Sequence, residues 1–133
     1  MKTILVDFDG VIHSYKSGWH GEAEIPDPPV PGALNFLREL SAEKEFEVCI
    51  YSSRNCRVEG RQAMIRWMRE NGLEETVLDC LSFPTFKPPA FLTMDDRCIC
   101  FKGQFPSMAR IKNFQPWQGE NVWDAQNRLR QKT

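Results

Sequence analysis

The sequence has no apolar run of membrane-spanning length, no internal repeat, no low-complexity segment and almost no net charge. The first absence argues against a transmembrane helix, and the N-terminus lacks the charged, apolar and small-residue regions of a signal peptide. A formal net charge of −1 creates no global field that would recruit nucleic acid or an anionic membrane. No second Cys or His pair complements Cys98 and Cys100, whose one-residue separation is also wrong for a zinc knuckle. The cysteines number five, an odd count, and fall mostly where strands are expected. Buried free thiols in a reducing compartment follow, and the lack of a membrane-spanning run and of a signal peptide predicts a cytosolic location. A chain of 133 residues is long enough for one core and too short for two, so a single domain over 1–133 is expected.

What is present begins with Lys2-Thr3-Ile4-Leu5-Val6-Asp7-Phe8-Asp9-Gly10-Val11, an apolar run halted by two carboxylates one residue apart. Such a run reads as a strand buried on both faces, as in a parallel sheet. Gly10 permits a sharp exit from the sheet. Open α/β sheets bind ligands at the carboxyl ends of their strands. Two acids there repel each other unless a cation or a shared proton intervenes, and a hard divalent ion such as magnesium suits them.

Residues 12–31 read as an irregular loop, long enough to be functional, lying over the paired acids. Gly32–Glu43 reads as a helix with Leu34, Leu37 and Leu40 on one face and Pro31 near its start. A second apolar run, Phe46–Tyr51, ends at Ser52-Ser53-Arg54-Asn55. Val58–Asn71 forms a second helix stopped by Gly72, with Ile65 and Met68 inward and Met64 and Trp67 flanking them. Val77–Leu81 is expected as a third strand, residues 83–89 as an extended linker, and Phe91–Met94 as a fourth strand ending at Asp95-Asp96-Arg97. Ile99–Phe101 is a candidate fifth strand. Pro106–Lys112 and Val122–Arg130 close the chain as helices, the last covering about 122–131. Alternating strands and helices predict a three-layer, Rossmann-like α/β domain with a mostly parallel sheet.

In that arrangement Asp7, Asp9, Ser52, Asp95 and Asp96 reach one sheet edge, joined by Lys87 from the linker. Carboxylates around a magnesium ion, a hydroxyl donor and a cation are the parts that phosphoryl transfer requires. An Asp can itself be the nucleophile. With these residues in this order, the sequence resembles the haloacid dehalogenase superfamily of phosphatases, in its small bacterial and phage members. The motifs are Asp7-Phe8-Asp9-Gly10-Val11, Ser52, Lys87 and Asp95-Asp96, and the resemblance spans about residues 2–115.

The resemblance implies that Asp7 attacks phosphorus, that Asp9 protonates the leaving group and then activates water, and that Ser52 and Lys87 hold phosphoryl oxygens. It also implies magnesium bound by Asp7, the carbonyl of Asp9 and Asp95, with Asp96 in support. The intervals between motifs are too short for a separate cap domain. An open site would suit a nucleic-acid end or a phosphoprotein, whereas a loop or a partner subunit closing it would suit a small phosphate.

Around this set, Ser53, Arg54, His13 and Gly10 are expected to contribute to substrate binding. Arg54, Arg57 and Arg61 read equally as a solvated helix face or as a site for a second phosphate or a nucleic-acid backbone. His13 and His20 fit substrate contact or loop packing, and Trp19 fits loop anchoring or stacking on a base. Phe114, Trp117 and Trp123 are expected to pin the C-terminal segment to the core. The leading function is a magnesium-dependent phosphomonoesterase, with a nucleotide or polynucleotide-end phosphatase as its narrower form. A receiver-like signalling module is the alternative of another class, disfavoured because a receiver needs no acid/base at Asp9.

Overall fold

The computed structural model describes residues 1–119. The expected helix over Val122–Arg130 and the anchoring role of Trp123 lie outside the described residues.

Strand β1 (Lys2–Val6) forms at the apolar run that opens the chain. Its last three residues are 2 % exposed or less, so both faces of its carboxyl-terminal half are covered. Helix α1 (Ala33–Ala42) leads to β2 (Phe46–Ile50), and a 3-10 turn over Ser53–Cys56 leads to α2 (Val58–Glu70). There follow a single-turn helix α3 (Glu75–Leu78), β3 (Leu81–Ser82), β4 (Leu92–Met94) and α4 (Met108–Lys112). The sheet is entirely parallel in the order β3-β2-β1-β4.

The crossovers β1-α1-β2 and β2-α2-β3 run the same way along the sheet, so the handedness rule puts α1 and α2 on one face. The turn α3 packs against both helices. Under them lies the main core, built from Ile4, Val6, Val48 and Ile50 of the sheet and Leu37, Met64 and Met68 of the helices. Each such side chain contributes about 1.5–3 kcal/mol by leaving water. The return from β3 to β4 is extended through 83–91, as the prolines require, and carries no helix.

Helix α2 stops as expected at Gly72, whose φ of 101° closes the terminus while Leu73 N–H reaches back to Met68 C=O at 3.0 Å. Met64, Trp67 and Met68 form its buried stripe; Ile65, expected inward, is only half-buried. Other expectations need correction. Val77–Leu81 is not one strand: its first half is the turn α3, which buries Leu78, and only Leu81–Ser82 pairs with β2. A five-residue apolar run does not distinguish these outcomes.

Ile99–Phe101 forms no strand. The free state of the cysteines is as expected, but only Cys49 is buried; Cys56, Cys80, Cys98 and Cys100 are exposed because they fall in turns, a helix end and irregular chain. Among the described residues no helix is long and apolar enough to cross a membrane.

Candidate active site

The ends of three adjacent strands create the site. Asp7 N–H donates to Met94 C=O at 2.9 Å and Tyr51 N–H to Val6 C=O at 3.0 Å, so the residues that follow β1, β2 and β4 leave the sheet side by side. One carboxylate oxygen from each of Asp7, Asp95 and Asp96 lies within 4.8 Å of the others, a spacing that a single divalent cation can span. Phe8 N–H holds Asp7 Oδ1 at 2.8 Å, and Arg97 N–H holds Asp95 Oδ1 at 2.8 Å.

Burial, then the charge of Asp95 and a hydrogen bond to Asp96, push the Asp7 carboxyl up to about 9. Asp96 is also raised, chiefly by burial. Both shifts disfavour two negative charges side by side at this sheet edge. Gly10 completes the cluster: at φ 87° it turns the chain, and a Cβ there would lie 2.1 Å from Asp96 Oδ2.

Asp9 has a different environment. Arg54 Nε donates to its Oδ1 at 3.2 Å and Oδ2 at 2.9 Å, and His13 Nδ1 lies 2.8 Å from Oδ1. A carboxylate has about four lone-pair sites, so one on Oδ2 remains for proton exchange. His13 is fully buried amid Phe8, Tyr15 and Trp67. Its Nε2 accepts from Asp27 N–H at 3.1 Å, which leaves Nδ1 to donate to Asp9.

Arg54 is also fully buried. Its Nη1 donates to the carbonyls of Gly21 at 2.9 Å and Glu22 at 2.7 Å, and its guanidinium lies 4.8 Å over the Trp19 ring. Gly60 lets α2 approach this arginine, since a Cβ there would fall 2.1 Å from the Arg54 carbonyl oxygen. His13 and Arg54 thus hold Asp9 in place, and neither is among the residues lining the two cavities on this sheet edge.

Ser52 caps the 3-10 turn. Its Oγ accepts from Arg54 N–H at 3.2 Å, leaving the hydroxyl hydrogen to point elsewhere, and its own N–H is held by Asn55 Oδ1 at 3.1 Å. Asn55, buried and overlooked in the sequence, also donates to Ile50 C=O at 2.7 Å and Pro84 C=O at 2.8 Å, tying the end of β2 to the linker.

Two cavities open on these groups. The larger, about 580 Å³, is lined by Asp7, Asp9, Ser52, Ser53 and Asp96. The loop supplies Tyr15, Lys16 and Trp19 to its wall, and the C-terminal segment supplies Trp117. Trp117 Nε1–H donates to Gly10 C=O at 2.7 Å and Gln118 Nε2 to Ser14 C=O. Trp117 therefore anchors the chain to the site rather than to the core, with 63 % of its surface exposed. The smaller cavity shares Asp7, Ser52 and Ser53 and adds Asp95 and Thr85, without Asp9.

No protein-family model, curated protein or solved structure matches this chain. The chemistry of the site has to be read from its own geometry.

The sequence-expected acids Asp7, Asp9, Asp95 and Asp96 and the two serines come together. Lys87 does not join them: it is exposed on the linker, lines neither cavity and forms no hydrogen bond or ion pair among the described residues. The cations on the larger cavity's wall are Lys16 and Arg97. Arg57, still 71 % exposed, pairs with Glu22 at 3.5 Å, and Arg61 donates to Asn55 C=O. Ring aromatics and hydrogen-bonding patterns of this kind join residues up to 107 positions apart, and no local sequence signal carries them.

Proposed function

We propose that the chain is a magnesium-dependent phosphomonoester hydrolase of the haloacid dehalogenase type, acting through an aspartyl-phosphate at Asp7 in one α/β domain without a separate cap. The observation that carries this reading is the meeting of Asp7, Asp95 and Asp96 beside Asp9 and Ser52 at the carboxyl edge of a parallel sheet. Carboxylates this close favour a cation, and oxygen donors at this spacing fit magnesium. Bound there, magnesium would neutralise charge on the phosphoryl oxygens and on Asp7.

The residues then divide the work. Asp7, with Oδ1 fixed by the Phe8 amide, forms the bond to phosphorus as the bond to the leaving oxygen breaks. A proton carried at the open Oδ2 position of Asp9 passes to that oxygen as its bond to phosphorus breaks, and Asp9 then takes one back from the water that displaces Asp7 from phosphorus. Arg54 and His13 keep Asp9 in one orientation, and Ser52 offers its hydroxyl hydrogen to a phosphoryl oxygen. Lys87 would reach those oxygens only by swinging inward, whereas Lys16 and Arg97 already stand on the cavity wall.

A screen of aryl phosphates, nucleotides, sugar phosphates, phosphopeptides and oligonucleotide ends, run with magnesium, tests the reading. Activity abolished by Asp7→Asn and slowed by Asp9→Asn is expected. A folded protein that hydrolyses none of them, or an Asp7→Asn variant as active as the parent, refutes it.

A further inference from the structure

We infer that the larger cavity is a leaving-group pocket for small phosphomonoesters that carry a planar aromatic ring, nucleoside monophosphates being the test case. The placement of the phosphate rests on the phosphomonoesterase reading; the ring pocket rests on observations of its own.

Asp9 distinguishes the two cavities. In-line attack by Asp7 sends the leaving oxygen away from it, toward whichever group can supply a proton. Asp9 lines the larger cavity and is absent from the smaller one. The leaving group therefore departs into the larger cavity, whose volume of about 580 Å³ suits a small molecule rather than a polymer surface.

Tyr15, Trp19 and Trp117 bring three aromatic rings to the lining of this cavity. Trp117 is fixed by its indole N–H on Gly10, which leaves its ring largely uncovered. Trp19 carries the Arg54 guanidinium over its ring and lines the same cavity. Tyr15 holds a φ of 59°, uncommon for a residue with a side chain, and edges against His13 at 5.9 Å. Rings anchored before binding lose little freedom when a base stacks on them. Pro31 and Pro116 extend this wall and lack N–H donors. A heteroatom on the ring could meet Ser14, whose buried hydroxyl has no partner among the described residues.

The test uses calorimetric binding of adenosine 5′-monophosphate and glucose 6-phosphate to the Asp7→Asn chain with magnesium, alongside kcat/KM of the parent for both. The expected result is roughly tenfold tighter binding of the nucleotide, the low end for stacking one base. Trp117→Ala should remove most of that preference and Trp117→Phe should keep it. Affinities within twofold of each other, or a preference that survives Trp117→Ala, overturn the inference. Selective nucleotide binding without any hydrolysis by the parent would uphold the pocket and remove the phosphatase reading. Hydrolysis of both substrates with equal kcat/KM would do the reverse.

Discussion

Replacing Arg54 with Met keeps much of the side chain's length and removes its charge and donors. Asp9 then loses two contacts, and the carbonyls of Gly21 and Glu22 lose theirs. Removing one partner of a buried pair costs about 3–5 kcal/mol. Arg54 is fully buried but Asp9 keeps 15 % exposure, so the lower half of that range, about 3–4 kcal/mol, applies. Against a total stability of about 5–15 kcal/mol the loss is large; it corresponds to a fall in Tm on the order of 10 °C or more.

Urea denaturation with a double-mutant cycle isolates the cause. Arg54→Met/Asp9→Asn should be more stable than Arg54→Met alone, because no carboxylate is left unpaired. Arg54→Lys should not rescue, since an ammonium cannot span a carboxylate and two carbonyls from one planar fork. A loss below about 1 kcal/mol in Arg54→Met, or no recovery in the double variant, refutes the clamp.

Three further outcomes follow from the same contacts. Between pH 4 and 9, with chelator present, the folded chain holds more protons at Asp7 than the unfolded chain, because burial raises that carboxyl from 3.8 to about 9. Stability from this group is complete below pH 4 and is lost as the pH rises toward 9. Melting curves of the parent and Asp7→Asn should therefore diverge with pH, the parent falling faster, and magnesium should narrow the gap; parallel curves would contradict this. Gly60→Ala should destabilise by about 1–3 kcal/mol through collision with the Arg54 carbonyl, despite alanine's better helix propensity, and a rise in Tm would show the approach to be slack. Asn55→Ala, which strands the Ile50 and Pro84 carbonyls and the Ser52 amide, should lose about 3 kcal/mol or more, as read by chemical denaturation.

The sheet was legible because β1 and β2 are short apolar runs ending in small or acidic residues, and that pattern has few alternatives in a chain of alternating elements. The grouping of Asp7, Asp9, Ser52, Asp95 and Asp96 followed from parallel topology alone. The boundary of β3 was not legible, because Leu78 and Leu81 satisfy a strand pattern while sitting on different elements. Arg54 looked like one member of a basic face; its burial depends on Asp9, 45 residues earlier, and on loop carbonyls that no spacing reveals. Cys80 and Cys100 were misjudged for a related reason: a residue that packs well in a strand is exposed when the strand does not form there. Lys87 matched a motif by position, but its linker leaves the side chain in solvent.

The central claim, that Asp7 is the nucleophile, is tested most directly by acid-quenching the parent chain during turnover of a radiolabelled phosphomonoester with magnesium, then mapping the label by tryptic digestion. The account predicts acyl-phosphate label on the peptide Thr3–Lys16, lost on hydroxylamine treatment and missing from Asp7→Asn. Hydrolysis at full rate with no label on that peptide, or label that persists in Asp7→Asn, would contradict it.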